Sequence, residues 1–167
     1  KERIARYAAS LVSDDDVVFL DTGTTVLHMA DHLKDSGALF VTSSIDLAGM
    51  LSAHERHVYI LGGTLKPGTV DIVGAGALES IQRYNFTKVF LGTSGVSVSQ
   101  GFTTPDPEAA ALKALAASQA QAVYMLADSS KFGRVTAAAI LSLAGAQIIT
   151  DRLPDRKYLD STGVIAV

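Results

Sequence analysis

The sequence predicts an α/β fold: a mainly parallel open sheet with helices on both faces, Rossmann-like in build. Three observations predict it. Short apolar runs alternate with helix-patterned stretches from one end of the chain to the other. The runs are apolar at nearly every position, as strands buried on both faces require. Most of them lead directly into clusters of Gly, Ser and Thr. At 167 residues, 48% hydrophobic, the chain fits one domain and can bury a proper core.

Residues 2–13 read as a helix with Ile4, Ala8, Leu11 and Val12 on one face, closed by Ser13 and three successive aspartates. Residues 17–20 form a buried-type strand. Residues 24–36 pattern as a helix gathering Val26, Leu27, Ala30 and Leu33, with Gly37 beyond its end. A strand at 39–41, a short helix at 45–53 and a strand at 58–61 follow, the last running into Gly62 and Gly63. After a loop bearing Gly and Pro, residues 74–84 read as helix and 89–91 as strand. Residues 107–119 are Ala-rich and strongly helical by propensity. Residues 122–126, 137–141, 148–149 and 164–167 supply further strands. No repeat, low-complexity tract or linker divides the chain, so residues 1–167 read as a single domain.

Composition excludes several classes. Aromatic residues are 7% of the chain and Trp is absent, so Ala, Val, Ile and Leu must fill the core. Without Cys there is no disulfide framework, thiolate metal site or thiol nucleophile. The apolar runs fall far short of the roughly 18–20 residues of a membrane span, and the start does not resemble a signal peptide. A cytoplasmic location without membrane contact is expected. The net charge is −3 and Lys and Arg are thinly spread. Duplex binding needs a basic stripe, so this stretch alone is not expected to hold DNA. The chain begins at Lys1 rather than Met, and whatever reads DNA is expected to precede it. His28 and His32 share a helical i,i+4 face, a zinc-compatible spacing, but lack a third ligand. No metal and no cofactor are expected.

The chemistry concentrates after the strands. Leu20 leads into Asp21, Thr22, Gly23, Thr24 and Thr25; Val41 into Thr42, Ser43 and Ser44; Leu61 into Gly62, Gly63 and Thr64. Leu91 leads into Gly92, Thr93, Ser94 and Gly95, and Leu126 into Ala127, Asp128, Ser129, Ser130 and Lys131. Ligands of open parallel sheets sit outside the carboxyl ends of the strands, where strand order reverses. Glycines and small hydroxylated residues there let amides and hydroxyls approach an anion closely. Five such loops on one edge would form a cup for a polyhydroxylated, anionic small molecule.

Residues 21–25 are the leading phosphate candidate, although Thr24 as a helix cap and Gly23 as a turn residue explain them equally well. Ser44 reads first as an N-cap and second as a ligand contact. Gly62, Gly63, Gly92 and Gly95 read first as backbone-shape residues. Glu108 falls in the first turn of the Ala-rich helix, where its charge suits the dipole. Lys113 reads as a solvated helix lysine with a ligand role as the alternative, whereas Lys131 lies in a hydroxyl-rich strand-end loop.

These motifs, taken in order, resemble the DeoR family of bacterial regulators. The resemblance rests on residues 19–25, 41–44, 61–64 and 90–96, then Gly101 to Asp106, Glu108 to Lys113, Asp128 to Gly133 and Ile149 to Asp151, and so spans essentially the whole chain. The family usually has Asn where Ser43 stands. The resemblance implies an effector-sensing domain, with residues 1–13 as the connecting helix from a preceding winged helix-turn-helix. It implies a repressor of sugar catabolism that reads operator DNA through that preceding domain, works as a dimer or tetramer, and is released by a phosphorylated sugar. It also implies a fold similar to that of ribose-5-phosphate isomerase. On that analogy residues 21–25, Ser43 and Ser44 hold the phosphate, with Lys113 or Lys131 supplying charge. Asp21, Glu108 and Asp128 then accept hydrogen bonds from sugar hydroxyls, and residues 64–69 and 98–102 shape the pocket. Isomerases of this fold carry acids on the loop after the fourth strand. Here Gly92 to Ser99 contain none, which favours a sensor with no catalytic residue over a sugar-phosphate isomerase.

Overall fold

The computed structural model describes residues 1–152 and 155–167. At its centre is a seven-stranded sheet in which every pairing is parallel. Its order is β12 (Val164–Ala166), β11 (Gln147–Thr150), β9 (Ala120–Leu126), β6 (Phe86–Gly92), β1 (Val17–Leu20), β2 (Leu39–Thr42), β3 (Val58–Ile60). Successive side chains alternate between two cores. Phe19, Val41, Val89 and Leu91 meet α4 (Ala75–Ile81) and α5 (Pro107–Ser118) on one face. Val18, Leu20, Phe40 and Phe90 meet α1 (Glu2–Ser10), α2 (Thr24–Leu27) and α3 (Ile45–Ala53) on the other. Burial on both faces is why these runs carry almost no polar position.

Strand order reverses between β1 and β6. From β1 the sheet grows through β2 and β3 in one direction, and from β6 through β9, β11 and β12 in the other. The loops leaving these two neighbours diverge, opening a crevice at the carboxyl edge.

Several elements depart from the sequence reading. The stretch 24–36 is α-helical only through Leu27. Beyond it, the N–H groups of Met29, His32, Leu33 and Ser36 donate to carbonyls three residues back, at 2.9 to 3.2 Å. This tighter winding stacks Val26 over Met29 and Ala30 over Leu33, all buried. The 137–141 run does not join the main sheet. It forms β10 (Ala138–Leu141) of a separate antiparallel sheet with β8 (Gly101–Thr104) and β7 (Gly95–Ser97). The 64–73 loop holds a hairpin of β4 (Thr64–Leu65) and β5 (Ile72–Val73). A short α6 (Arg156–Leu159) buries Tyr158 and has no counterpart in the sequence reading. β6 starts at Phe86 rather than Val89, because Asp16 satisfies the polar residues between. Thr87 donates to Asp16 Oδ1 at 2.7 Å, and Lys88 Nζ lies 2.6 Å from Oδ2.

Candidate functional site

β1 and β6 deliver the floor of the crevice. Asp21, 3% exposed, donates its N–H to the Phe90 carbonyl at 3.1 Å, and its Oδ2 accepts the Gly92 N–H at 2.8 Å. The same oxygen lies 2.6 Å from Lys113 Nζ, which reaches in from α5 and also donates to the Gly92 carbonyl at 2.8 Å. Lys113 is buried, so the reading of it as a solvated helix lysine does not hold. Its charge is tolerated there because it is paired and hydrogen-bonded.

Above this floor lies a cleft of about 560 Å³. Four of the five strand-end loops converge on it. The loop after β1 contributes Thr22, Gly23, Thr24 and Thr25; that after β2, Ser44; that after β6, Gly92, Thr93 and Ser94; that after β9, Asp128 and Lys131. Lys113 lines it from below. Ser44 caps α3 by accepting the Leu47 N–H at 3.2 Å, which leaves its own hydroxyl hydrogen available. The Thr93 hydroxyl is committed to the carbonyls of Gly95 and Thr103, at 2.8 and 2.9 Å.

The charges are unevenly spread. Lys131 has no carboxylate within 4.0 Å among the described residues. Lys1 Nζ donates to Thr24 Oγ1 at 2.7 Å and is equally free of a carboxylate partner among them. Burial pushes the Asp128 carboxyl up, but hydrogen bonds from the Ser130 hydroxyl and N–H outweigh it and hold the pKa below its ordinary value.

Five residues singled out from the sequence do not line the cleft. Asp21, expected to accept sugar hydroxyls, lies beneath its floor with Oδ2 taken by Lys113 and the Gly92 N–H. Ser43 is buried beside it, its carbonyl accepting the Ile72 N–H at 2.8 Å. Gly63 packs against α4 with φ +136°, and a Cβ there would sit 2.9 Å from Ala77 N and Val73 O. Gly95 lies in the antiparallel sheet, where a Cβ would come within 2.5 Å of the Arg134 carbonyl. Glu108 is exposed in the first turn of α5, near Gly74. Residues 98–101 border a separate groove. His28 and His32 both face Glu2 of α1, with His32 Nε2 2.6 Å from Oε1 and His28 Nδ1 3.7 Å from Oε2.

Of residues 64–69, expected to shape the pocket, Lys66 and Thr69 line its far wall, but sequence reasoning missed the rest of that wall. After β3 the chain folds back, and the hairpin contributes Lys66, Thr69, Val70 and Asp71, with Asp46 and Asp106 beside it. Lys66 pairs with Asp106, and this hydrogen bond holds the Asp106 carboxyl below its usual range. Burial pushes the Asp71 carboxyl up. The Thr22 hydroxyl opposes that, Asp21 adds to it, and Lys113 and Lys66 offset only part, so the pKa stays raised. Pro67 and Gly68, between Leu65 and the Ile72–Val73 pair, were the available signal for a turn.

The chain is 44% identical over its full length to the "Uncharacterized HTH-type transcriptional regulator FruR" of Bacillus subtilis, covering 68% of that protein. It is 37% identical over its full length to the HTH-type transcriptional regulator GlpR of Haloferax volcanii, again covering 68%. Over 80% of the chain it is 31% identical to a lactose phosphotransferase system repressor of Staphylococcus epidermidis, covering 54% of that protein. Among solved structures, ribose 5-phosphate isomerase A of Methanocaldococcus jannaschii has a TM-score of 0.57 at 17% identity, over 78% of this chain and 52% of that one. The delta subunit of eIF2B from Chaetomium thermophilum has a TM-score of 0.58 at 17% identity, over 80% of this chain and 48% of that one. These two likenesses concern the fold alone. Residues 1–152 match the family described as the DeoR C terminal sensor domain, and with regulators as its relatives the chain belongs to that family.

Proposed function

We propose that this chain is the effector-sensing domain of a transcriptional regulator, most simply a repressor, of carbohydrate metabolism. In this reading its cleft binds a small phosphorylated sugar and does not transform it. The observation that carries the reading is the convergence of four strand-end loops on one cleft at the strand-order switch, with Lys131 and Lys1 free of carboxylate partners among the described residues. Loop amides and the Thr24 and Thr25 hydroxyls would hold phosphoryl oxygens. The Asp128 carboxylate, ionised at neutral pH, would accept sugar hydroxyls. A lactose phosphotransferase repressor among the relatives supports a carbohydrate effector.

Operator DNA would be met through a helix-turn-helix segment preceding Lys1, in a cytoplasmic dimer or tetramer. An effector that prefers one arrangement of that assembly shifts its population and so its hold on DNA. Sugar isomerisation would need a carboxylate base against a substrate C–H. The loop after β6 brings Thr93 and Ser94 to the cleft and no acid.

Thermal-shift measurement against phosphorylated and unphosphorylated sugars tests the reading. A phosphate ester should raise the melting temperature, and Thr24→Val combined with Thr25→Val should abolish the effect. Sugar-phosphate isomerase turnover that is lost in Asp71→Asn would overturn it.

A further inference from the structure

We infer that Asp71 is a specificity-determining residue, which makes the hairpin end of the cleft reject a second phosphate and accept the neutral, hydroxyl-bearing end of a sugar monophosphate. The inference rests on the proposed effector site and adds a direction to it.

Asp71 is held in place by backbone pairing. The Ile45 N–H donates to the Val70 carbonyl at 3.0 Å, the Ile72 N–H donates to the Ser43 carbonyl at 2.8 Å, and Ser44 bridges Asp71 itself. The hairpin is therefore stitched to the β2–α3 junction on both sides of Asp71, and Ile72 and Val73 beyond it are buried. That pairing fixes the Asp71 backbone, and a hydrogen bond with the Thr22 side chain holds the carboxylate.

No cation pairs with it among the described residues. The two nearby lysines are committed elsewhere, Lys113 to Asp21 and Lys66 to Asp106. Among the described residues Asp71 has no basic partner within 4.0 Å. Asp46 lines the same end from the first turn of α3. At the opposite end two lysines, Lys131 and Lys1, outnumber the one carboxylate, Asp128, on which both act. Lys131 follows β9, and β9 stands three strands from β2 in the sheet, a span of about 14 Å at the usual strand spacing. Lys1, hydrogen-bonded to Thr24, adds a second cation without a carboxylate partner there.

The cleft is thus polar end to end, and the polarity orients its ligand. A phosphoryl dianion is attracted to the Lys131 end. A second one at the hairpin would face a fixed, partly desolvated carboxylate of like charge, which disfavours binding. A sugar hydroxyl at that end meets an acceptor instead.

The test compares matched esters: fructose 6-phosphate with fructose 1,6-bisphosphate, and glucose 6-phosphate with glucose 1,6-bisphosphate. Affinities are measured calorimetrically at pH 8, chosen to favour the charged carboxylate, for wild type and Asp71→Asn, which keeps the shape and removes the charge. Wild type should bind at least one monophosphate at least tenfold more tightly than its bisphosphate. Asp71→Asn should bring that ratio close to one, mainly by gaining bisphosphate affinity. A preference left intact in Asp71→Asn, or equal binding by wild type, overturns the role of Asp71 while leaving the phosphate site standing. If wild type binds no phosphate ester of a broader panel, the site itself falls and this inference with it. Melting without ligand checks that the variant is folded, and Asp71→Ser provides a second neutral side chain.

Discussion

Lys113 Nζ lies 2.6 Å from Asp21 Oδ2, between residues 92 apart in sequence and both nearly excluded from solvent. The pair joins α5 to the end of β1, and the Gly92 N–H and carbonyl complete it from β6. It therefore fixes the one place in the sheet where neighbouring strands send their loops apart.

Removing one partner leaves the other as a buried, uncompensated charge. Lys113→Met should destabilise the domain by about 3–5 kcal/mol, measured by chemical denaturation. Pairing it with Asp21→Leu should cost less than the sum of the single changes. Additive losses would mean that the two side chains do not act as a unit.

Asp71 sets a pH dependence of opposite sign to that of an ion-paired carboxylate. Burial raises its folded-state pKa above the ordinary 3.8, so between the two values the folded state holds more proton than the unfolded chain. Stability then falls as pH rises through that window, and the loss is complete above the raised value. Asp71→Asn should flatten this part of the profile and leave the variant at least as stable as wild type at neutral pH. Denaturation midpoints at half-unit steps from pH 4 upward provide the check.

Ser44 serves both helix and cleft. Its Oγ accepts the Leu47 N–H at 3.2 Å, so Ser44→Ala should cost about 1 kcal/mol through the lost cap of α3. The same variant should weaken ester binding through the lost hydroxyl beside Asp71, whereas Ser44→Asp should restore the cap and weaken bisphosphate binding further by like charge. Melting temperature and ligand-induced shift, read on both variants, separate the two roles.

Gly95 is a matter of space. A Cβ would approach the Arg134 carbonyl to 2.5 Å and Thr103 Oγ1 to 2.6 Å. Gly95→Ala should therefore destabilise the antiparallel sheet by about 1–3 kcal/mol through overpacking. Because Gly95 lies outside the cleft lining, effector affinity in the folded fraction should change little, as titration calorimetry would show.

What local pattern determined is what local physics controls. Runs such as Val17 to Leu20 and Val89 to Leu91 have to be buried on both faces, and a chain alternating them with helices has few ways to fold but as a covered parallel sheet. Thr22 to Thr25, Ser44, Thr93 and Lys131 were legible for a related reason. Small hydroxylated residues directly after a buried strand must emerge at the sheet's carboxyl edge. Ser43, Gly63 and Gly95 carried the same local signal yet serve the backbone, since neighbours from distant segments decide which side of a loop faces the cleft. The pairing of Lys113 with Asp21, the support that Asp16 gives Thr87 and Lys88, and the return of residues 64–73 over the crevice lie beyond local reading. Each joins segments far apart in sequence, and periodicity carries no information about which distant segment a side chain will meet. The loops of the cleft are written along the chain. Its charge polarity, and Asp71 at its hairpin end, exist only once the sheet has brought those segments together.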